Sequence, residues 1–440
     1  MNLDGPKDRR TWETIEASQV ILGETTGFPK DLPIEWVREC ARRVRRMRDE
    51  LHDRWVGLGD LSHWLLAAVI ARENVLLIGP PGVAKTEIAL RTFDLLGLAQ
   101  PEGVVRKADR DEMVRPLAPG ASPFAWWEDR WARERAQPKY FHYLLSRFTQ
   151  PEELFGPIEI SLLRQGLSVR VNFGLMTGPG VRGVFLDEVF KASSTILNTL
   201  LTLTLERRHF NWGGMVPSDI ATFIGASNEL PGGLATGAYG VGSGPEDFQT
   251  LYAFLDRFPI RLMVPPASGS DPGRGMESNL AEATQMAVRR EADRMATGRS
   301  FPDRADMPHI NDILLLGRAL LDHERGGPGI FRKGAALADF QTSFFEIASA
   351  LQAGGTHLED AAVTWTITPR KLRSLYKIAL GHALLRDDGF VSSTHDAVQP
   401  PGREDLQVFS HIWDASVSDV VEGLAREVER NVATYATPRR

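Results

Sequence analysis

Apolar residues along this chain change period several times, and those changes outline its elements. Residues 34–73 carry helical spacing, clearest in LSHWLLAAVIA (61–71). NVLLIG (74–79) is instead a short unbroken apolar run that enters a Gly/Pro turn, which predicts a buried strand, and TEIALRTFDLL (86–96) then predicts a helix. KYFHYLLSRF (139–148) reads as a strand. GVFLDEVFKAS (183–193) ends its apolar run on two acids and leads into a helix over STILNTLLTLTLE, with Ser193 or Ser194 as N-cap. IATFIGAS (220–227) is a further strand. Strands alternating with helices predict an α/β domain with a mostly parallel sheet. Beyond PPASGSDPGRG (265–275) the pattern is helical around 276–297, 310–325, 337–353 and 369–386, with no convincing strand.

This gives a division into a polar N-terminal segment (1–33), an α/β domain (34–264), a helical lid domain (265–386) and a C-terminal helical extension (387–440). Residues 97–138, with Trp126, Trp127 and Trp131, look like an insertion, and the glycine-rich 231–248 looks like a mobile loop.

Composition changes the picture only by exclusion. With 42% apolar and 25% charged residues over 440 positions, the chain is an ordinary globular one with room for several cores. No apolar run approaches a membrane span, the start MNLDGPKDRR has no apolar signal region, and the lone Cys40 excludes an internal disulfide framework. The expected compartment is the cytoplasm. A net charge of −6 argues against a surface built throughout for nucleic acid. The one basic run, Arg42, Arg43, Arg45, Arg46 and Arg48, reads as a solvated helix face pairing with acids, or else as a docking surface for an acidic partner.

The chemistry starts at GPPGVAKT (79–86), between a strand and a helix. In that context Gly79, Pro80, Pro81, Gly82, Val83 and Ala84 form a turn whose N–H groups, with the helix N-terminus, cradle phosphate. Lys85 would reach the β- and γ-phosphates and Thr86 would bind Mg²⁺. Ala84 stands where the general pattern has a second glycine; its methyl fits if the backbone there has negative φ.

Asp187 and Glu188, taken alone, read as an exposed strand end. Beside a phosphate loop they gain roles: Asp187 holds Mg²⁺ and its waters, and Glu188 orients and deprotonates the attacking water. Asn228, closing the strand of GASNELP, is either a loop cap or an amide that positions the water or the γ-phosphate. The separation of Lys85 from Asp187 is long for such a site, and the insertion accounts for much of it.

Together GPPGVAKT (79–86), YLLSRFTQPEELFGP (143–157), GVFLDEVFKASSTILNTLLTLTLERRHF (183–210), GASNELP (225–231) and LYAFLDRFPIRL (251–262) resemble the MoxR family of AAA+ ATPases, in the helix-2-insert branch and its RavA-like subgroup. Ala84 also matches MoxR-like loops. The resemblance implies an AAA+ core hydrolysing ATP with Mg²⁺ and a helix-2 insert at 156–171. It implies an arginine finger at Arg257 that reaches a neighbour's γ-phosphate, and a sensor-2 arginine at Arg370 acting on its own or a neighbouring nucleotide. Arg147 and Glu152 become candidates for contact with the next subunit, and EDLQVFSHIWD (404–414) faintly resembles the RavA region after the lid. The function implied is a homo-oligomeric ring, a hexamer, that remodels or matures a client protein with a von Willebrand factor A domain partner. A nucleic-acid-stimulated motor and a non-hydrolysing nucleotide switch are the alternatives.

Overall fold

The computed structural model describes residues 34–54, 61–98, 138–228 (apart from 165, 167 and 212), 250, 253–264, 306–324, 331, 335–354, 368–386 and 401–411. The tryptophans at 126, 127 and 131, the glycine-rich loop 231–248, the expected helix at 276–297 and the N-terminal segment lie outside these residues.

Seven strands are described: β1 (Val75–Ile78), β2 (Lys139–Leu144), β3 (Val181–Asp187), β4 (Arg208–Asn211), β5 (Gly214–Pro217), β6 (Thr222–Ser227) and β7 (Ile260–Met263). Five form one parallel sheet in the order β2-β3-β6-β1-β7, and β4 and β5 form a separate antiparallel hairpin. All four residues of β1 are buried, as expected of a central strand covered on both faces.

Successive side chains of β1 enter different cores. Val75 and Leu77 join α1 (Ile34–Arg54), α2 (Leu61–Ile70) and α3 (Lys85–Leu95) on one face. Leu76 and Ile78 join α6 (Ser194–Glu206) and the turn bearing Phe254 and Phe258 on the other. The short α4 (Pro151–Phe155) and α5 (Ile160–Leu163) lie between β2 and β3 in the chain. Ser193 is the N-cap of α6, its hydroxyl accepting from the Ile196 N–H. β2 is shorter than the apolar run suggested. After Leu144 the chain turns, with Thr149 Oγ1 accepting from the Ser146 N–H at 3.0 Å.

The helices α7 (Ile310–Glu324), α8 (Ala335–Gly354) and α9 (Pro369–Leu385) share the first core with α1 and α2. Close backbone approach fixes α9 against α2: a Cβ on Gly381 would lie 2.7 Å from the Ala67 carbonyl oxygen. The chain is thus an α/β core followed by a helical region, and α9 carries Arg370 to Asp256, just before β7.

The basic run of α1 serves this packing. Arg45 and Arg48 donate to the carbonyls of Arg386 and Leu385, 2.9 and 3.0 Å away, which closes the C-terminus of α9. Arg43 faces Asp312 at 3.5 Å and Arg46 meets Asp306 at 2.6 Å. A face read as solvated or as a docking surface is in large part a clamp inside the chain.

Candidate active site

β1 delivers the phosphate loop to the C-terminal end of the sheet. The Gly79 N–H donates to Ser227 O, and a Cβ here would come within 2.4 Å of the Val264 carbonyl oxygen, so glycine is required. Ala84 departs from the expectation. It has φ 64° and ψ 21°, the left-handed conformation, at the N-terminus of α3. For a residue with a Cβ this costs roughly 1–2 kcal/mol. The methyl is therefore held under strain, while the Ala84 carbonyl still accepts from Ile88 N at 2.9 Å and starts the helix. The first N–H groups of α3 have no partner within the helix, which leaves them for an anion.

Lys85 is folded onto its own loop. Its Nζ donates to Gly79 O at 2.6 Å, to Pro80 O at 2.9 Å and to Asn228 Oδ1 at 2.8 Å. Burial lowers the lysine's pKa, opposed by the negative charges of Asp187 and Glu188.

Asp187 ends β3 with both carboxylate oxygens engaged. Oδ2 accepts from the Thr86 hydroxyl at 2.8 Å, and Oδ1 from the Glu188 N–H at 2.9 Å. A hydroxyl and a carboxylate oxygen thus converge, a donor set that suits Mg²⁺, which takes one or two protein oxygens beside phosphate and water. Among the described residues no cluster of three or more His, Cys, Asp or Glu could enclose a metal. The site therefore fits a cation that arrives with its phosphate.

Glu188, adjacent in sequence, is placed quite differently. Its backbone is left-handed (φ 54°, ψ 44°), and its side chain accepts from Asn228 Nδ2 and faces Lys191 Nζ at 3.2 Å. Such strain in a charged, 8% exposed residue is what functional positions tend to store. Lys85, Asn228, Glu188 and Lys191 form one continuous polar chain. Lys191 was missed in the sequence, although its i+3 spacing from Glu188 was a usable signal.

Arg257 and Arg370 lie elsewhere. Both face Asp256: Arg257 Nη1 at 3.4 Å and Arg370 Nη2 in direct contact. The Asn74 side chain donates to Arg257 O at 2.7 Å, which ties this group to the residue preceding β1. The phosphate loop follows β1, so the two arginines sit at the N-terminal ends of the strands, roughly 13 Å of strand away. Asp256 thus holds the two arginines side by side. Arg147 is exposed, and Glu152 lies 3.8 Å from Arg170 within the 156–171 segment.

Three comparisons bear on identity. Residues 130–294 match the family model described as the MoxR domain in the MoxR-vWA-beta-propeller ternary systems. That span holds Asp187, Glu188, Asn228 and Arg257; the phosphate loop precedes it and Arg370 follows it. Two uncharacterized proteins of Methanocaldococcus jannaschii are each 28% identical, over 227 and 222 residues, 51% and 50% of this chain. The chain spans less than half of those relatives, 45% and 44%. A solved structure of a candidate ATPase from Cytophaga hutchinsonii aligns over 90% of this chain and 96% of its own, with TM-score 0.51 and 14% identity, which speaks to fold alone. The chain is thus similar to a MoxR domain over 130–294, less than half of its length, and shares its fold with that solved structure.

Proposed function

We propose that this chain hydrolyses Mg-ATP in a homo-oligomeric ring, with a phosphate site complete in each subunit and an arginine site that serves the next. The observation behind this reading is the polarity of the sheet. Lys85, Thr86, Asp187, Glu188 and Asn228 converge at the C-terminal strand ends. Arg257 and Arg370 sit together at the N-terminal ends. Ligands of open parallel sheets bind beyond the carboxyl ends, so neither arginine is placed for its own subunit's nucleotide. We assign both to a neighbour's.

In this mechanism the turn 79–84 and the first turn of α3 hold the phosphates. Lys85 exchanges its loop carbonyls for β- and γ-phosphate oxygens. Thr86 and Asp187 are the residues that would hold Mg²⁺, which supplies charge neutralisation on the phosphates. Lys85's departure frees Asn228, and with it Glu188, whose carboxylate then orients a water and takes its proton. Phosphate binding therefore takes apart the Lys85–Asn228–Glu188 network.

We further read 34–264 as the nucleotide domain, 265–386 as the lid and 156–171 as the helix-2 insert, with a RavA-like core. The matching model is named for systems that join MoxR to von Willebrand A and β-propeller proteins, which supports a von Willebrand A partner for this chain and a client-remodelling role. No helix among the described residues is long and apolar enough to cross a membrane. The test is steady-state hydrolysis by Glu188→Gln, expected to bind ATP and stall. Turnover near the wild-type rate would refute the catalytic assignment.

A further inference from the structure

Arg257 and Arg370 open onto a cavity of about 320 Å³ whose walls also include Arg72, Glu73, Asn74, Arg207 and Lys377. Its charge does not balance. Glu73 faces three cations, Arg72, Arg207 and Lys377. Asp256 faces two more, Arg257 and Arg370. Among the described residues, two carboxylates therefore answer these five cations.

Several of these charges are buried where charge is expensive. Arg72 lies two residues beyond the end of α2 and Arg207 directly follows α6, both with left-handed backbones (φ 57° and 55°). Arg207 donates to Asn74 Oδ1 at 2.6 Å, yet its Nη1, the Nε of Arg72 and the Nε of Arg257 are buried with no hydrogen-bond partner. Burial, then the neighbouring Arg72, lowers the Arg207 pKa to about 10, which still leaves it charged at neutral pH. A buried cation lacking a full partner is costly, because its lost hydration is not replaced. Placing two side by side costs more, offset among the described residues by Glu73 and the Asn74 amide oxygen.

The helix above the cavity repeats the imbalance. The first turns of α9 carry Arg370, Lys371 and Arg373 and no acid. These cations stand at the positive end of the helix dipole, the least favourable place for them. A bound anion would reverse the sign of every one of these terms. The cavity's volume lies at the small end of the range for ligand pockets, which suits an anionic group entering from outside better than an enclosed nucleotide.

We propose that Arg72 and Arg207 belong to the trans-acting site: the cavity receives the phosphate oxyanion of a nucleotide held by a second copy of this chain. Arg257 and Arg370 reach that oxyanion, and Arg72 and Arg207 are positioning residues whose field fixes it and the two arginines in front of it. This rests on the reading of Arg257 as a trans residue and adds two residues to which the sequence reading gave no role, Arg207 within the matched span and Arg72 outside it.

Subunit mixing tests it. Arg207→Met keeps the bulk of the side chain and is expected to lower turnover by roughly 10- to 100-fold, the worth of a charge-assisted contact, with ATP affinity of the phosphate loop unchanged. Arg207→Lys should restore part of that loss. Lys85→Ala has an intact cavity and a disabled loop. Mixed with Arg207→Met, it should give turnover well above the sum of the two parents. Should Arg207→Met fail to fold, Arg72→Met replaces it in the same mixture. Arg257→Ala is mixed in parallel. If it complements Lys85→Ala and the Arg207 and Arg72 variants do not, the buried pair is only structural and this inference falls while the finger stands; if none complements, both fall. Inorganic phosphate titrated into Lys85→Ala separates the two sources of the oxyanion. Saturable binding that Arg207→Met abolishes would assign the cavity to a free anion and overturn the second copy as its source.

Discussion

The two ends of the parallel sheet hold charged clusters of opposite character. At the C-terminal end the polar groups satisfy one another: Lys85 has three acceptors, both Asp187 oxygens are used, and Asn228 links Lys85 to Glu188. At the N-terminal end, among the described residues, five cations share two carboxylates, and buried guanidinium nitrogens have no partner. The first cluster is a polar network matched within one chain. The second has the chemistry of half a site, stable only as far as the fold can hold unbalanced charge. A self-satisfied network can wait for its ligand, whereas an unbalanced one draws its ligand in.

If that contrast is right, damage to each end should differ in kind. The largest effect is expected for Arg257→Ala: turnover falling on the order of 10³-fold or more, with ATP binding to the phosphate loop unchanged by equilibrium titration. Weakened binding of similar size would place Arg257 at its own nucleotide and erase the contrast. Next comes Glu188→Gln, with hydrolysis falling roughly 10²- to 10⁴-fold and ATP retained. Asp187→Asn at the same end should weaken Mg-ATP binding as well, so equal binding constants for the two variants would contradict the division between metal ligand and base. The smallest change is Ala84→Gly. Relief of a left-handed alanine should stabilise the chain by about 1 kcal/mol at most, part being lost to glycine's freedom in the unfolded state, and a rise of a few degrees in melting temperature would register it. A drop would mean that the Ala84 conformation is not strained.

Much of the first end was legible in the sequence because its chemistry is contiguous. GPPGVAKT, LDE and SN each sit where an apolar strand stops, so the strand places the motif. The backbone at Ala84 was not legible: the residue type argued for negative φ, and the turn into α3 imposes the opposite. The second end was legible only at Arg257 and Arg370, and by resemblance. Arg72 and Arg207 are separated by more than the length of the insertion and look like ordinary arginines at helix ends. Only the ending of α2 and α6, packed on opposite faces, at the same end of the sheet brings them together. Of the α1 arginines, Arg42, Arg43, Arg46 and Arg48 pair with acids as the sequence reading had it, whereas the carbonyl acceptors of Arg45 and Arg48 lie at the end of α9, some 340 residues away, and were not legible.

The central claim is that a subunit binds its nucleotide alone but hydrolyses it only with a neighbour's arginines. The direct measurement is ATP hydrolysis per subunit, followed across a dilution series in which light scattering reports assembly and a fluorescent ATP analogue reports binding. The account predicts hydrolysis per subunit that rises with assembly while binding per subunit stays level. Constant hydrolysis down to concentrations at which the chain is monomeric would contradict it.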